Sequence, residues 1–181
     1  MHHEWRRGGY VVSTDPERLD LQVIHAFLTA SYWAAGIPLD VVRRSLEHSV
    51  SFGLYREQAA AAAGGAREAR RDAAPDAERA RGEQVGFARV ITDRATLGYL
   101  GDVFVLPAHR GRGLSKWLMQ CIDEHPELKG FRRWVLLTRD AHGLYRQFGW
   151  TPVASPERYM ERWAPDVYAA APAAAGPHQA S

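Results

Sequence analysis

Cysteine is almost absent: Cys121 is the only one in 181 residues. A lone cysteine excludes an internal disulfide and makes a reducing compartment the simplest reading. Long apolar runs are missing too. Nothing approaches the roughly 18 consecutive apolar residues of a membrane span. The opening stretch MHHEWRRGGYVVS carries no apolar segment of the signal-peptide kind. A soluble cytoplasmic protein with no membrane partner is the expectation. Charge of one sign is also lacking, since 23 Lys and Arg face 21 Asp and Glu for a net charge of +2. That balance argues against nucleic acid as a partner of the whole surface. No His, Cys and Asp cluster has metal-ligand spacing, so no metal is expected. Neither G-x-x-x-x-G-K-[ST] nor G-x-G-x-x-G occurs, which removes the Walker A and Rossmann phosphate signatures.

What remains is an ordinary globular composition, 46% hydrophobic and 24% charged, with six Trp, seven Tyr and six Phe for a core. The length suits one domain with tails. Residues 57–83, EQAAAAAGGAREARRDAAPDAERARGE, hold almost no large apolar side chain. Such a segment has little to bury against its ordering entropy and reads as a flexible insertion. Its acids nearly balance its bases, so a nucleic-acid arm is the weaker reading. Residues 164–181 read as a disordered Ala/Pro-rich tail. The expected domain is therefore residues 1–163.

Hydrophobic periodicity predicts a strand over Gly9–Thr14, then a helix capped by Asp20 with Leu21, Ile24 and Leu28 inward. A second helix presents Leu39, Val42 and Leu46, followed by a strand over Ser49–Arg56. Gln84–Asp93 and Leu97–Pro107 read as an antiparallel hairpin. A helix from about Gly113 to Glu124 follows, then a strand over Gly130–Thr138. Asp140 is placed to cap a short helix, Ala141–Phe148, that Gly149 ends. One or two last strands are expected in WTPVASPERYMERW. The order β-α-α-β-β-β-α-β-α-β gives a mixed α/β sheet, mostly antiparallel, with helices on both faces.

The connection AHRGRGLS carries the chemistry. Gly111 and Gly113 let a ligand approach bare backbone. The turn opens a helix whose first N–H groups lack partners and sit at the positive end of its dipole. Arg110 and Arg112 add charge, and the whole suits a phosphate or pyrophosphate. The same glycines could instead serve only to shape a tight turn.

DVFVLPAHRGRGLSKWL resembles the acetyl-CoA-binding motif of the GNAT (GCN5-related N-acetyltransferase) superfamily, R/Q-x-x-G-x-G/A. Here it stands as Arg110-Gly111-Arg112-Gly113-Leu114-Ser115, with Ser115 at the small final position. AHGLYRQFGW, residues 141–150, is similar to a second segment of that family. The resemblance runs from about Tyr10 to Trp163, outside 57–83. It implies a GNAT-like fold with a splayed central strand pair, and an N-acetyltransferase that uses acetyl-CoA as co-substrate. A primary amine of a small molecule would attack the thioester directly in a ternary complex. A non-catalytic CoA-binding module, or acetylation of a protein amine, is the alternative.

By this resemblance the pyrophosphate sits on Arg110, Gly111, Arg112, Gly113, Leu114 and Ser115. Pantetheine pairs with the strand edge at Phe104 and Val105, and the Val105 N–H serves as oxyanion donor. Tyr145 is the candidate general acid. Asp102 is the candidate base, with Tyr99 beside it and with an Arg-paired strand-end carboxylate as the plainer reading of Asp102. His109 and His142 read as solvent-exposed, and Cys121 as core packing. Tyr32 and Trp33 are expected to wall the acceptor pocket and to attract a cationic amine through their faces. Oligomeric state is not legible, and a homodimer is compatible with all of this.

Overall fold

The computed structural model describes residues 1–57 and 82–169. Most of the expected insertion at 57–83 and the chain from residue 170 lie outside the described residues. The chain opens with β1 (Glu4–Arg7) and β2 (Tyr10–Ser13), which pair with Arg7 opposite Tyr10. β1 is a correction, because the sequence places the first strand only at Gly9. Its turn is Gly8-Gly9, with φ of 56° and 77°. Two consecutive positive φ values are what a two-residue hairpin turn demands.

Helix α1 (Leu21–Thr29) starts where expected, because the Asp20 carboxylate accepts from the N–H groups of Gln22 and Val23 at 2.9 and 3.0 Å. Asp20 is itself tied to the sheet, its N–H donating to Gln84 Oε1 at 2.7 Å. Helix α2 (Leu39–Glu47) follows Pro38 and buries Val42. The sheet continues with β3 (Val50–Arg56), β4 (Glu83–Thr92) and β5 (Leu97–Val105). Helix α3 (Leu114–Glu124) crosses to β6 (Arg133–Leu136), and α4 (His142–Tyr145) follows. The strands lie in sequence order, β1 to β6, all antiparallel except the β5–β6 pair.

Each face of the sheet has its own apolar core. Leu114, Trp117, Leu118, Met119, Cys121 and Ile122 of α3 pack with Phe52, Leu54 and Val105, and Tyr145 of α4 joins this side. Ile24, Leu28 and Val42 of α1 and α2 pack instead with Phe87 and Phe104. The layered mixed α/β architecture is thus as expected, with helices on both faces.

Three details differ toward the C-terminus. Asp140 does not cap α4; the helix begins after Ala141, whose N–H donates to the Thr138 hydroxyl oxygen at 3.0 Å, and Arg146–Phe148 tightens into a 3₁₀ turn before Gly149. No strand forms among the described residues after β6, and beyond Gly149 only a 3₁₀ turn at Pro156–Arg158 appears. Pro152 and Pro156 each lack the N–H a ladder needs, which weakens any pairing there. Finally, Tyr168 packs against the α1–α2 core, so an unstructured tail does not begin at residue 164.

Candidate active site

β5 and β6 pair only from Leu97 opposite Arg133 to Leu100 opposite Leu136, and then part. β5 stays on β4 but changes register there: Gly101 faces Arg89 and Phe104 faces Phe87. Asp102 and Val103 therefore stand against Ala88 alone, which is a β-bulge. Asp102 adopts φ of 55°, a region that a residue with a side chain enters only when held.

What holds it is visible. Its carboxylate accepts from Arg89 Nε through one oxygen and from Trp33 Nε1 at 3.0 Å through the other. Arg89 also donates to the Ser49 hydroxyl at 3.2 Å. The Arg89 and Asp102 side chains are only 16% and 10% exposed, so the pair is desolvated and depends on its geometry.

The bulge sets which peptide groups face the opening. Leu106 donates its N–H to Val85 O at 2.8 Å, so its peptide faces β4. Strand alternation then turns the Phe104 groups toward β4 and the Val105 N–H and C=O toward the gap. The Val105 carbonyl already accepts from Arg110 Nε at 2.9 Å. Val105 keeps its N–H at the gap. Phe104 contributes its ring to the other face, stacked on Phe27 at 3.9 Å and 8°.

On the α3 side, Arg110 donates its backbone N–H to Pro107 O at 3.2 Å. The backbone N–H and the Nε of Arg110 are thus occupied within the chain, and its Nη groups keep their donors and charge. The first helical bond of α3 runs from Trp117 N–H to Gly113 O at 3.0 Å, leaving Leu114, Ser115 and Lys116 without helical acceptors for their N–H groups. Gly111 and Gly113 have φ of 76° and 71°, and a Cβ at Gly111 would meet nothing within 4 Å. Both glycines are required by conformation; the space over Gly111 is open, and a Cβ at Gly113 would stand 3.8 Å from Arg7 Nη2. A further charge comes from β1: Arg7 donates to Gly113 O at 3.2 Å and lies over the Trp117 ring at 4.9 Å.

Tyr145 is buried, at 9% exposure, on the same side as the turn. Burial first, then the neighbouring Tyr32, Asp140 and Tyr99, push its phenol up to about 12. Burial also raises Tyr99, aided by Asp102 and opposed by Arg89. Both phenols are proton donors at neutral pH. Tyr32 lies on the opposite side, where its hydroxyl accepts the Arg139 N–H at 3.0 Å and bridges the α1–α2 link to the chain beyond β6. Trp33 meets the Tyr32 ring edge-on at 5.0 Å.

The chain is similar to known acetyltransferases. The acetyltransferase (GNAT) domain family matches residues 76–152. A Gibberella zeae protein assigned as an acetyltransferase is 39% identical over 148 residues, 78% of each chain. The chain belongs to the GNAT family of acetyltransferases. A crystal structure from Xanthomonas campestris pv. campestris, assigned to the same family, superposes with a TM-score of 0.74 at 44% identity, covering 90% of this chain and 98% of that one. A Staphylococcus aureus structure shares the fold at 17% identity and a TM-score of 0.59, covering 86% and 98%.

In this GNAT chain the sequence-predicted residues divide into two groups. Val105, Gly111, Arg112, Gly113, Leu114, Ser115 and Tyr145 lie with α3 or at the gap, and Tyr32 and Trp33 lie on the α1 side, joined to Asp102 by the Trp33 indole. Asp102 takes the plainer of its two readings, the partner of an arginine. His109 is a correction: it is buried at 6% exposure and its Nδ1 lies 3.0 Å from the Tyr10 hydroxyl. Cys121 is 1% exposed, and burial pushes its thiol up to about 12, far from a nucleophile's range. Sequence reasoning missed Arg7, Phe27, Arg89 and Arg139. Only Arg7 carried a local signal, since Gly8-Gly9 beside it marks a hairpin that returns β1 to the sheet.

Proposed function

We propose that this acetyltransferase binds acetyl-CoA on the α3 face and passes the acetyl group through the β5–β6 gap to a primary amine bound on the α1 face. The observation that carries the reading is the gap itself. It opens at a held bulge, between free helix-start N–H groups on one face and an aromatic pocket on the other.

The pyrophosphate would sit on the N–H groups from Gly111 to Ser115, with Arg7 and Arg112 supplying charge. Pantetheine would run along the β5 edge. Acetyl-CoA supplies the thioester carbon that the amine nitrogen attacks. The Val105 N–H would donate to the oxygen of that thioester as charge develops. Tyr145, held protonated by burial, donates to the departing thiolate sulfur. The amine's own proton leaves to solvent through the open α1 side. Asp102 is a positioning residue here, because both of its oxygens are engaged.

Free amines near pKa ~10 are mostly protonated at neutral pH. With no internal base, kcat/KM should rise with pH toward the pKa of the amine used. Thiol release from acetyl-CoA, followed with a panel of amines between pH 6 and 9, tests the reading. Release that tracks amine basicity is expected. Tight CoA binding with no release on any amine would instead mark a binding module.

A further inference from the structure

A depression of ≈ 680 Å³ lies on the α1 side of the gap, lined by Phe27, Tyr32, Trp33, Leu106, Pro107 and Arg139 among others. Its wall was expected to attract a cation through the tyrosine and tryptophan faces. The arrangement of charges there is the reverse. The Arg139 guanidinium already lies over the Tyr32 ring at 3.8 Å, so the protein's own cation occupies that face. A second cation would meet it as a like charge. The carboxylate that borders this pocket through Trp33, Asp102, has one oxygen on Arg89 and the other on the indole. Its negative charge is already balanced by the Arg89 guanidinium, which weakens its pull on a substrate ammonium.

Arg139 itself is held only loosely. Its Nη2 stands 3.8 Å from Asp140, and both side chains are about two-thirds exposed, at 66% and 68%. Exposed pairs at that separation contribute little, so the guanidinium is available for a better anion. Its backbone is fixed by the Tyr32 hydroxyl, which positions it at the pocket rim. Apart from Ser31, whose hydroxyl donates to Leu28 O at 2.7 Å, the rest of the lining is apolar and aromatic, and would desolvate a flat or branched hydrocarbon group.

We propose that the acceptor is a primary amine on an apolar, aromatic-sized body that also carries a carboxylate, which Arg139 binds. This inference rests on the acetyl-transfer reading above. The neutral amine nitrogen forms the bond to the acetyl carbon, the C–S bond breaks, CoA leaves as its thiol with the Tyr145 proton, and the proton lost from nitrogen goes to solvent, which returns one to Tyr145. Polyamines and other polycations are excluded from this pocket by Arg139.

The test compares L-phenylalanine, phenethylamine and spermidine as acceptors, by CoA release, in the wild type and in Arg139→Ala and Arg139→Lys. Binding of acetyl-CoA is titrated in each. The expected order of kcat/KM is phenylalanine, phenethylamine, spermidine. Arg139→Ala should lower kcat/KM for phenylalanine about tenfold or more, the scale of a lost charged hydrogen bond. It should leave phenethylamine and acetyl-CoA binding within about twofold, and Arg139→Lys should restore part of the loss. Spermidine ahead of the other two, equal losses for phenylalanine and phenethylamine, or no release from either with acetyl-CoA still bound, would overturn the inference. Failure to bind acetyl-CoA would overturn the reading beneath it.

Discussion

On the α3 face, the proposed anion-binding turn is made by consecutive residues, Gly111 to Ser115, and would act through backbone N–H groups. On the α1 face, the pocket is assembled from side chains, and the Tyr32–Arg139 bond that closes it joins positions 107 residues apart. The first side depends on conformation: two glycines at positive φ and the start of a helix. The second depends on charge placement and ring packing. On this reading, backbone donors would recognise a group common to every reaction of the enzyme. Side chains set the group that differs, and they can change without disturbing the turn.

The sharpest way to break that comparison is Gly113→Glu. The new residue must adopt φ of 71° and places a negative charge over the turn. Left-handed backbone costs about 1–2 kcal/mol, and the carboxylate opposes the phosphate, so CoA affinity should fall on the order of several hundredfold. Calorimetry with CoA reads this directly, and unchanged affinity would remove the phosphate site from the turn.

Tyr145→Phe should come next. Turnover should fall roughly 100-fold, the low end for loss of a general acid, while CoA affinity stays within about twofold. The same variant has a stability signature. The phenol is protonated in both states below pH 10, and between 10 and about 12 only the unfolded chain ionises. The native protein should therefore lose stability as pH rises through that window. The phenylalanine variant should lose less, as denaturant midpoints at pH 9 and pH 11 will show.

Asp102→Asn should have the smallest effect on rate, about tenfold in kcat/KM, since an amide still accepts from Trp33 but leaves Arg89 without its counter-charge. Its pH–rate profile separates the two roles. A positioning residue leaves the acid limb where the wild type has it, whereas a base would take the limb with it. The more drastic Asp102→Ala should destabilise the fold by about 3–5 kcal/mol, the scale of orphaning a buried ion partner.

Much of this was legible in the sequence where a local rule governs. Asp20 capped the helix it was expected to cap, and Leu114, Leu118 and Ile122 turned the face of α3 inward because their spacing leaves no other face apolar. Where a distant partner decides, the sequence was silent or misleading. Asp102 looked free to act as a base, but Arg89 lies across the ladder and Trp33 lies 69 residues away. Nothing in the sequence around Arg110 signalled that its Nε bonds the strand it follows. His109 looked exposed, and it is covered because the β1–β2 hairpin brings Tyr10 onto it. The last expected strand failed for a different reason: apolar residues around Thr151–Trp163 satisfied the pattern, yet the prolines remove ladder donors there.

The sequence alone therefore determined the turn, the helix behind it and the family they belong to. A helix start, a glycine conformation and a 3.6-residue period are properties of contiguous residues. Tertiary structure alone decided the state of Asp102, the arrival of Arg7 at the turn and the charge of the acceptor pocket. Each of these depends on which residues the sheet order brings side by side, and electrostatic and packing energies act over distance in space and take no account of separation along the chain.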